Sequence, residues 1–388
     1  MKNCVQEEIV SIIQHVIGNS EDKKTQLHEP RFCGNEWEYV KQCIDTGWVS
    51  SVGSFVDRFE KELSDFTSTR RAVAVVNGTA ALHICLKLVD VRPDDEVLIP
   101  ALTFIATSNA VTYCGAIPHF VDSDFCTLGI DPYRLDKYLD KIAKPTPEGS
   151  INRHTGRRIK AVVPMHTFGH PVDIDGIAQV CQKYDLELVE DAAESLGSYY
   201  KGKHTGGFGR VAALSFNGNK IITTGGGGAV LTNDEKLGVL AKHLTTTAKA
   251  PHAWAFNHDQ IGYNYRLPNI NAALGCAQLE QLPRFLESKR SLAERYRAAF
   301  EQVPYAIFVT EPADTTSNYW LNTILLEENV QELRDEILAA CHSHGILTRP
   351  VWTLMSKLPM YLKNPSMDLN VAENLERRLI NLPSSPFL

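Results

Sequence analysis

The sequence predicts an α/β fold with a mainly parallel sheet, because short apolar runs alternate with helical patterns from about residue 71 to residue 244. Helical patterns lie between most of these runs, so both faces of the sheet should be covered. The chain of 388 residues is long enough for a large core and more than one domain. The strand patterns are centred near Val73, Val97, Ile117, Ala161, Leu186, Ala212 and Ala229.

Three segments are expected along the chain. Residues 1–29 should form an N-terminal helix, with apolar residues at helical spacing from Val5 to Ile17, and then a polar link. Residues 30–262 should form a large α/β domain. Residues 263–388 should form a smaller α+β C-terminal domain.

The C-terminal segment begins with two helical patterns, from Asn271 to Leu282 and from Pro283 to Phe300. A strand near Tyr319 to Leu325 and a helix from Val330 to His344 should follow, which predicts α+β structure. The polar stretch 144–158, which contains proline and glycine, is predicted to be a surface excursion, and the turn-rich stretch 245–262 is predicted to be a long connecting loop.

Composition excludes several classes of function. The net charge is -7 with acids and bases well mixed, and the absence of a basic stripe argues against a nucleic-acid partner. The nine cysteines form no Cys-x-x-Cys pair, so neither a metal site nor a disulfide framework is predicted. No signal-peptide pattern or membrane-spanning apolar stretch is present, so we expect a cytoplasmic protein without a membrane partner.

One lysine stands in surroundings that are unusual for this residue type. An apolar run ends at Ser215, a turn presents Lys220, and four glycines follow at 225–228. Glycine tolerates positive φ and the close approach of a ligand. A lysine amine among small and apolar neighbours can act as the nucleophile that forms a Schiff base. The alternative is a closely packed glycine-rich hairpin with an exposed lysine.

Three further segments place polar or aromatic groups at the ends of strand patterns. Asp191 follows the buried run that ends at Val189. Ligands of open α/β sheets bind beyond the carboxyl ends of the strands, so a functional carboxylate is expected there. Gly78 and Thr79 begin a helix after the first strand, where backbone N–H groups and a hydroxyl can bind phosphate. Phe104 follows the next strand.

Together these segments predict a site for pyridoxal 5′-phosphate. This cofactor needs a phosphate anchor, a stacking face, a carboxylate for the ring nitrogen and an amine for the aldehyde. Each residue also has a structural alternative: Asp191 could cap a helix, Phe104 could be a core residue, and Ser215 could satisfy its own backbone. The combination of all four elements in this order favours the cofactor site.

These segments also resemble a known family, the DegT/DnrJ/EryC1/StrS sugar aminotransferases, which have the aspartate aminotransferase-like fold of enzymes that depend on pyridoxal phosphate. The resemblance extends from about Pro30 to the C-terminus. The runs around Lys220 and from Glu194 to Phe208 are most similar to the LegC-like branch, which aminates a nucleotide-linked 4-keto sugar on the route to legionaminic-type sialic acids. The motifs that carry the resemblance are Asn77-Gly78-Thr79-Ala80-Ala81-Leu82, Pro100-Ala101-Leu102-Thr103-Phe104, Glu190-Asp191-Ala192-Ala193, Ser215-Phe216 with Lys220, and Gly262-Tyr263-Asn264-Tyr265-Arg266-Leu267-Pro268.

The resemblance implies a role for each candidate residue. Lys220 would bind the cofactor covalently and later move protons, and Asp191 would pair with the protonated pyridine nitrogen. Phe104 would stack on one face of the ring, and Ala193 would pack on the other. The phosphate would be held by Gly78, Thr79 and Ser215.

Two further residues, Asn264 and Glu194, are expected to contact the cofactor in other ways. The resemblance implies that Asn264 reaches the phosphate from the neighbouring subunit, so the sites would be shared within a homodimer. Glu194 stands where relatives often have glutamine or histidine in contact with the 3-oxygen of the cofactor. A carboxylate there should repel a phenolate unless the two share a proton, so Glu194 is expected to be a weaker cofactor contact.

The implied activity is transfer of an amino group, from glutamate, to a nucleotide-linked 4-keto-6-deoxy sugar, both of which are small-molecule substrates. One alternative is a sugar dehydratase that uses the same cofactor, although relatives of that kind replace the lysine with histidine. A second is a non-catalytic regulatory protein, which should lack a site residue. A nicotinamide-dependent dehydrogenase is disfavoured, because no Gly-x-Gly-x-x-Gly follows the first strand.

Overall fold

A computed structural model describes residues 2–18, 24–147 and 149–388. Within them, the helices are α1 (Lys2–Ile17), α2 (Glu36–Thr46), α3 (Ser54–Thr67), α4 (Gly78–Leu88), α5 (Ile105–Tyr113), α6 (Pro132–Ile142), α7 (Ile174–Tyr184), α8 (Glu235–Thr245), α9 (Asn269–Phe300), α10 (Arg334–Ser343) and α11 (Asn370–Arg378). The strands are β1 (Arg71–Val75), β2 (Glu96–Pro100), β3 (Ile117–Val121), β4 (Ala143–Thr146), β5 (Gly149–Asn152), β6 (Arg158–Val162), β7 (Glu187–Asp191), β8 (Tyr199–Tyr200), β9 (Lys203–His204), β10 (Val211–Ser215), β11 (Gly228–Thr232), β12 (Ala306–Phe308), β13 (Thr315–Thr316), β14 (Asn322–Leu326), β15 (Arg349–Pro350) and β16 (Leu379–Leu382).

The large sheet has the order β1-β11-β10-β7-β6-β2-β3. The neighbours from β10 to β3 pair in parallel, whereas β11 is antiparallel to both β1 and β10. Apolar side chains from both faces of these strands are buried beneath helices. The prediction of a mainly parallel α/β sheet is therefore confirmed. Each predicted strand centre lies in or next to an observed strand.

Helix α4 is the central element on one face of this sheet. It is apolar on nearly all sides, and Leu82, Ile84 and Cys85 are fully or almost fully buried, as expected for a helix enclosed by its neighbours. Its N-terminus is capped by Asn77, whose side-chain oxygen accepts the Ala80 N–H at 2.7 Å. The start of α4 is thereby fixed at the carboxyl end of β1.

A second sheet of order β12-β14-β16-β15 lies in the C-terminal part of the chain. Its apolar core includes side chains of α1, α9 and α10, among them Ile13, Tyr296 and Ile337. The first helix therefore packs with C-terminal elements rather than standing apart. The domain boundaries at 29/30 and 262/263 remain a prediction.

One prediction about local structure is wrong. The two helical patterns that meet at Pro283 form the single helix α9. Proline removes a helical hydrogen bond, but Leu282 and Phe285 are fully buried beside it, and this packing stabilises the continuous helix. The predicted surface excursion at 144–158 contains regular structure: β4 and β5 form a hairpin whose second strand pairs with β6.

The polar link is described only in part, because residues 19–23 lie outside the described residues. Beyond them, Thr25 forms a parallel bridge with Ile346. The stretch 245–262 is a loop with isolated bridges after the end of α8, as predicted. None of the helices in the described ranges has the length and hydropathy needed to cross a bilayer.

Gly228 provides a test of how tightly α4 is held against the sheet. An added Cβ at Gly228 would lie 2.6 Å from the backbone carbonyl group of Asn77, whereas at Gly226 the nearest atom would be 3.8 Å away. We expect Gly228→Ala to lower the free energy of unfolding by about 1–3 kcal/mol through overpacking, and Gly226→Ala to have a much smaller effect. Urea unfolding of both variants measures this difference. Equal losses would contradict the close packing described here.

Candidate active site

A cavity of about 330 Å³ lies at the carboxyl ends of the central strands. Its size is typical of small-molecule sites, and its position is the one expected for ligands of open α/β sheets. Eight of the nine predicted site residues line it: Gly78, Thr79, Phe104, Asp191, Ala193, Glu194, Ser215 and Lys220. The ninth, Asn264, does not.

One end of the cavity is formed by the first turn of α4 and the end of β10. A Cβ at Gly78 would lie 2.8 Å from Cβ of Ser215, so glycine is required for this close approach. Helix N-termini attract anions through their free N–H groups and the helix dipole. The Thr79 and Ser215 hydroxyls add donors at the same place, so this end fits a phosphate group.

Asp191 lies at the end of β7 and is 3% exposed. One of its carboxylate oxygens accepts the Thr107 hydroxyl at 2.7 Å, and the other accepts the Ala193 N–H at 3.2 Å. Burial raises the pKa of Asp191, and these two hydrogen bonds oppose the shift. A cation in the cavity would stabilise the buried carboxylate further, so this wall fits a protonated pyridine nitrogen.

Lys220 follows a turn in which its own N–H donates to the Asn217 carbonyl at 3.0 Å. Its side chain is 12% exposed, and Nζ lies 3.2 Å from Oε1 of Glu194. On another side, Nζ lies 3.8 Å from the centroid of the Trp320 ring. The Trp320 indole N–H donates to the Asn219 carbonyl at 2.7 Å, which anchors this ring against the turn. The amine is therefore held inside the cavity and is not a free surface group.

Glu194 is buried beside the lysine. Its Oε2 accepts the Phe168 N–H at 2.9 Å, and its Oε1 faces Lys220. Burial raises the pKa of Glu194 to about 7, although the charge of Lys220 opposes that shift. Phe168 has a φ of 56°, a left-handed conformation that is uncommon for a bulky residue and often marks functional sites.

Aromatic side chains line the mouth of the cavity. Phe104 is 48% exposed, so it is not an ordinary core residue. Its ring centroid lies 6.3 Å from that of Trp352, which in turn lies 5.2 Å from that of Phe168. Flat apolar surfaces of this kind can contact a cofactor ring or a sugar.

Asn264 lies outside the cavity of its own chain. It is exposed and forms an antiparallel bridge with Thr246 at the base of the 245–262 loop. The role of Asn264 in a partner's site stays a prediction.

Sequence reasoning missed several residues that complete the cavity. Trp320 and Trp352 come from the C-terminal part of the chain, and Met165 comes from the loop after β6. Asn318 is fully buried and connects the elements: its Nδ2 donates to the Glu194 and Leu196 carbonyls at 2.9 Å each. The sequence signal for Asn318 and Trp320 is the polar and aromatic run just before β14. The position of that run in space depends on tertiary packing.

Comparison with known proteins agrees with this geometry. A model of the DegT/DnrJ/EryC1/StrS aminotransferase family matches residues 32–388. The chain is 37% identical over 356 residues to a GDP-perosamine synthase of Caulobacter vibrioides, which covers 92% of this chain and 91% of that protein. It is 38% identical over 370 residues to a GDP-perosamine synthase of Escherichia coli O157:H7, which covers 94% of each protein.

Solved structures agree as well. The structure of Helicobacter pylori PseC, an aminotransferase involved in the biosynthesis of pseudoaminic acid, matches with a TM-score of 0.84 and 26% identity. The match covers 93% of this chain and 94% of that chain. This likeness confirms the predicted aspartate aminotransferase-like fold.

The cavity thus brings together an anion-binding helix start, a buried carboxylate, exposed aromatic faces and an enclosed amine. These groups fit pyridoxal 5′-phosphate, the predicted cofactor, and the family match confirms that prediction. On this evidence the chain belongs to the DegT/DnrJ/EryC1/StrS family of pyridoxal phosphate-dependent aminotransferases.

Proposed function

We propose that this protein transfers an amino group, taken from glutamate, to the keto carbon of a nucleotide-linked 4-keto-6-deoxy sugar. The observation that carries the proposal is the enclosed Lys220 amine, which faces a cavity that also holds the buried Asp191 carboxylate. Two relatives are named GDP-perosamine synthases, which supports a nucleotide-linked amino sugar as the product. The LegC-like substrate and a cytoplasmic location remain predictions.

In this reaction the protein holds and orients the cofactor, and it moves protons. Pyridoxal phosphate, when bound, supplies an electron sink that stabilises a carbanion and carries the amino group between substrates. We assign Gly78, Thr79 and Ser215 to its phosphate, and Asp191 to the protonated ring nitrogen. A carboxylate at that nitrogen favours the protonated form and so maintains the electron sink.

Lys220 is assigned the acid–base role. Its amine is the group placed to remove a proton from the donor's α-carbon and to deliver one elsewhere within the cavity. Phe104 and Ala193 line the cavity on elements that follow β2 and β7, and we assign them to the two faces of the ring. The aromatic mouth at Trp352 is the proposed approach for the sugar.

The rival activities are less well supported. Sugar dehydratases of this family carry histidine in place of the lysine, whereas this chain has Lys220 in the cavity. A non-catalytic protein should lack part of the site, yet the lysine, the aspartate and the phosphate-end residues all line one cavity.

The proposed reaction can be tested by spectroscopy followed by product analysis. The full chain with added pyridoxal phosphate should show a yellow absorbance band that disappears with glutamate, and a nucleotide-linked 4-keto sugar should then be converted to an amino sugar. Lys220→Ala should lose both changes while keeping its circular dichroism spectrum, because the amine is the nucleophile. Lys236→Ala, at an exposed position on α8, is the matched control. Amino-sugar formation by Lys220→Ala would contradict the assignment.

We also propose that the active form is a homodimer with shared sites. Large apolar side chains are exposed on the 245–262 loop: Trp254 is 82%, Phe256 78% and Ile261 84% exposed. Two tryptophans in and after α2, Trp37 and Trp48, are 78% and 57% exposed. Apolar exposure on this scale is typical of an interaction surface, and a second copy would cover it.

The position of Asn264 supports the same proposal. A depression beside the loop is lined by Val52, Thr246 and Arg266, so the segment after α2 and the base of the loop lie on one side of the protein. Asn264 is exposed there and bridges to Thr246. A dimer formed through this side would carry Asn264 toward the partner's cavity.

Subunit complementation tests the shared site. Asn264→Ala alone should weaken cofactor binding about tenfold or more, because a hydrogen bond to a charged phosphate is lost. Lys220→Ala alone should be inactive. Co-expressed and assayed at a cofactor concentration too low to load Asn264→Ala dimers, the two variants should recover up to about a quarter of wild-type activity, since about half of the dimers are mixed and each has one complete site.

The control for this experiment is mixing of the separately purified variants without subunit exchange, which should give no recovery. If co-expression also gives none while mixed dimers are present, Asn264 does not act in the partner's site.

A further inference from the structure

We propose that Glu194 accepts the proton that leaves the Lys220 ammonium, so that the neutral amine forms with its proton kept inside the cavity instead of being released to solvent. This inference deepens the proposed function and rests on it for its biological meaning. The sequence predicts Glu194 to be a weaker cofactor contact. In this proposal Glu194 acts first on the lysine.

The two side chains are held against each other. Nζ of Lys220 lies 3.2 Å from Oε1 of Glu194. The other carboxylate oxygen, Oε2, is occupied by the Phe168 N–H at 2.9 Å. Because Oε2 is fixed by a backbone donor, Oε1 is directed at the lysine, and a proton can pass along this hydrogen bond without backbone movement.

A buried amide fixes the surroundings of the pair. Asn318 donates through Nδ2 to the backbone carbonyl of Glu194 at 2.9 Å, and its Oδ1 accepts the backbone N–H of Trp320 at 2.8 Å. The Trp320 ring lies 3.8 Å from Nζ and stabilises the cationic form of the amine. One side chain from the C-terminal part therefore positions both the acceptor and the aromatic face.

The charges around the pair set the pH at which the acceptor works. Burial raises the pKa of Glu194 to about 7, with Asp191 raising it further and Lys220 lowering it. His28 is a further titratable group whose pKa is affected by the charge of Lys220. Burial holds the pKa of His28 well below the usual range, so His28 is neutral at pH 7. Glu194 is thus poised to exchange a proton near neutral pH.

The proton transfer breaks one Nζ–H bond and forms one Oε1–H bond. The ammonium of Lys220 and the carboxylate of Glu194 thereby become a neutral amine and a neutral acid. The neutral amine carries the electron pair that a bound aldehyde would require of its nucleophile. The loss of two opposite charges is favoured by burial, because neither group is fully solvated.

Competitive labelling of the full chain with trace acetic anhydride tests this step, because the reagent acylates neutral amines. Mass spectrometry of Lys220 gives its labelling rate against a free-amine standard from about pH 5 to about pH 9. Below the pKa of Glu194, the wild-type rate should rise about tenfold per pH unit. Above it, the proton that Lys220 gives up stays on Glu194, so the rate should become level.

In Glu194→Gln the acceptor is lost, although glutamine can still accept the Phe168 N–H. The rate should therefore keep rising, and should exceed the wild-type rate about 100-fold at pH 9, two pH units above the bend. Glu187→Gln is the matched control, because Glu187 forms a partly buried pair with Lys160 at 3.4 Å away from the cavity. It should keep the bend at Lys220.

Attachment of pyridoxal phosphate to the cofactor-free chain, followed by visible absorbance, is the second readout and should show the same bend. A wild-type profile without a bend, or a bend that persists in Glu194→Gln, would overturn the inference. A normal bend in labelling with no visible band at any pH would overturn the proposed function while leaving the proton transfer between the two side chains intact.

Discussion

The arrangement of the site depends on two buried carboxylates, Asp191 and Glu194, that line the same cavity as the amine of Lys220. Buried charges are costly unless they are paired or hydrogen-bonded, and each of these three groups has such a partner. Thr107 and the Ala193 N–H hold Asp191, while the Phe168 N–H holds Glu194. The amine of Lys220 also lies 3.8 Å from the centroid of the Trp320 ring. In the proposed function, a cationic cofactor ring beside Asp191 would complete this balance of charge.

The fold supplies this arrangement through the edge where the parallel strands end. Strand β7 carries Asp191, strand β10 ends at Ser215, and α4 begins at Gly78 between them. Glycine at positions 78 and 228 allows the helix start to approach the sheet. The phosphate end and the carboxylate wall are therefore fixed by the rigid core, whereas the lysine is placed by a turn.

The sequence was sufficient for the sheet and for most of the site, because residues such as Asp191 and Gly78 directly follow strong strand patterns. It was insufficient for Trp320 and Trp352, which reach the cavity through tertiary packing of a segment more than 100 residues beyond Asp191. The same holds for Asn318, which is buried and hydrogen-bonded to the backbone carbonyl of Glu194. Pro283 was misread as a helix boundary because local propensity was opposed by buried neighbours. The role proposed for Asn264 would depend on a second subunit, and neither a sequence pattern nor the structure of a single chain describes such a contact.

The central claim, that Lys220 is the cofactor-binding lysine, is tested most directly by borohydride reduction of the chain loaded with pyridoxal phosphate. Peptide mass spectrometry would then locate the reduced label. The account predicts the label on Lys220. Lys289 is the informative competitor, because it is fully buried with a pKa well below the usual range, yet its amine donates to the Trp320 and Ser384 carbonyls. A label on Lys289, on a surface lysine or on no lysine would contradict the account.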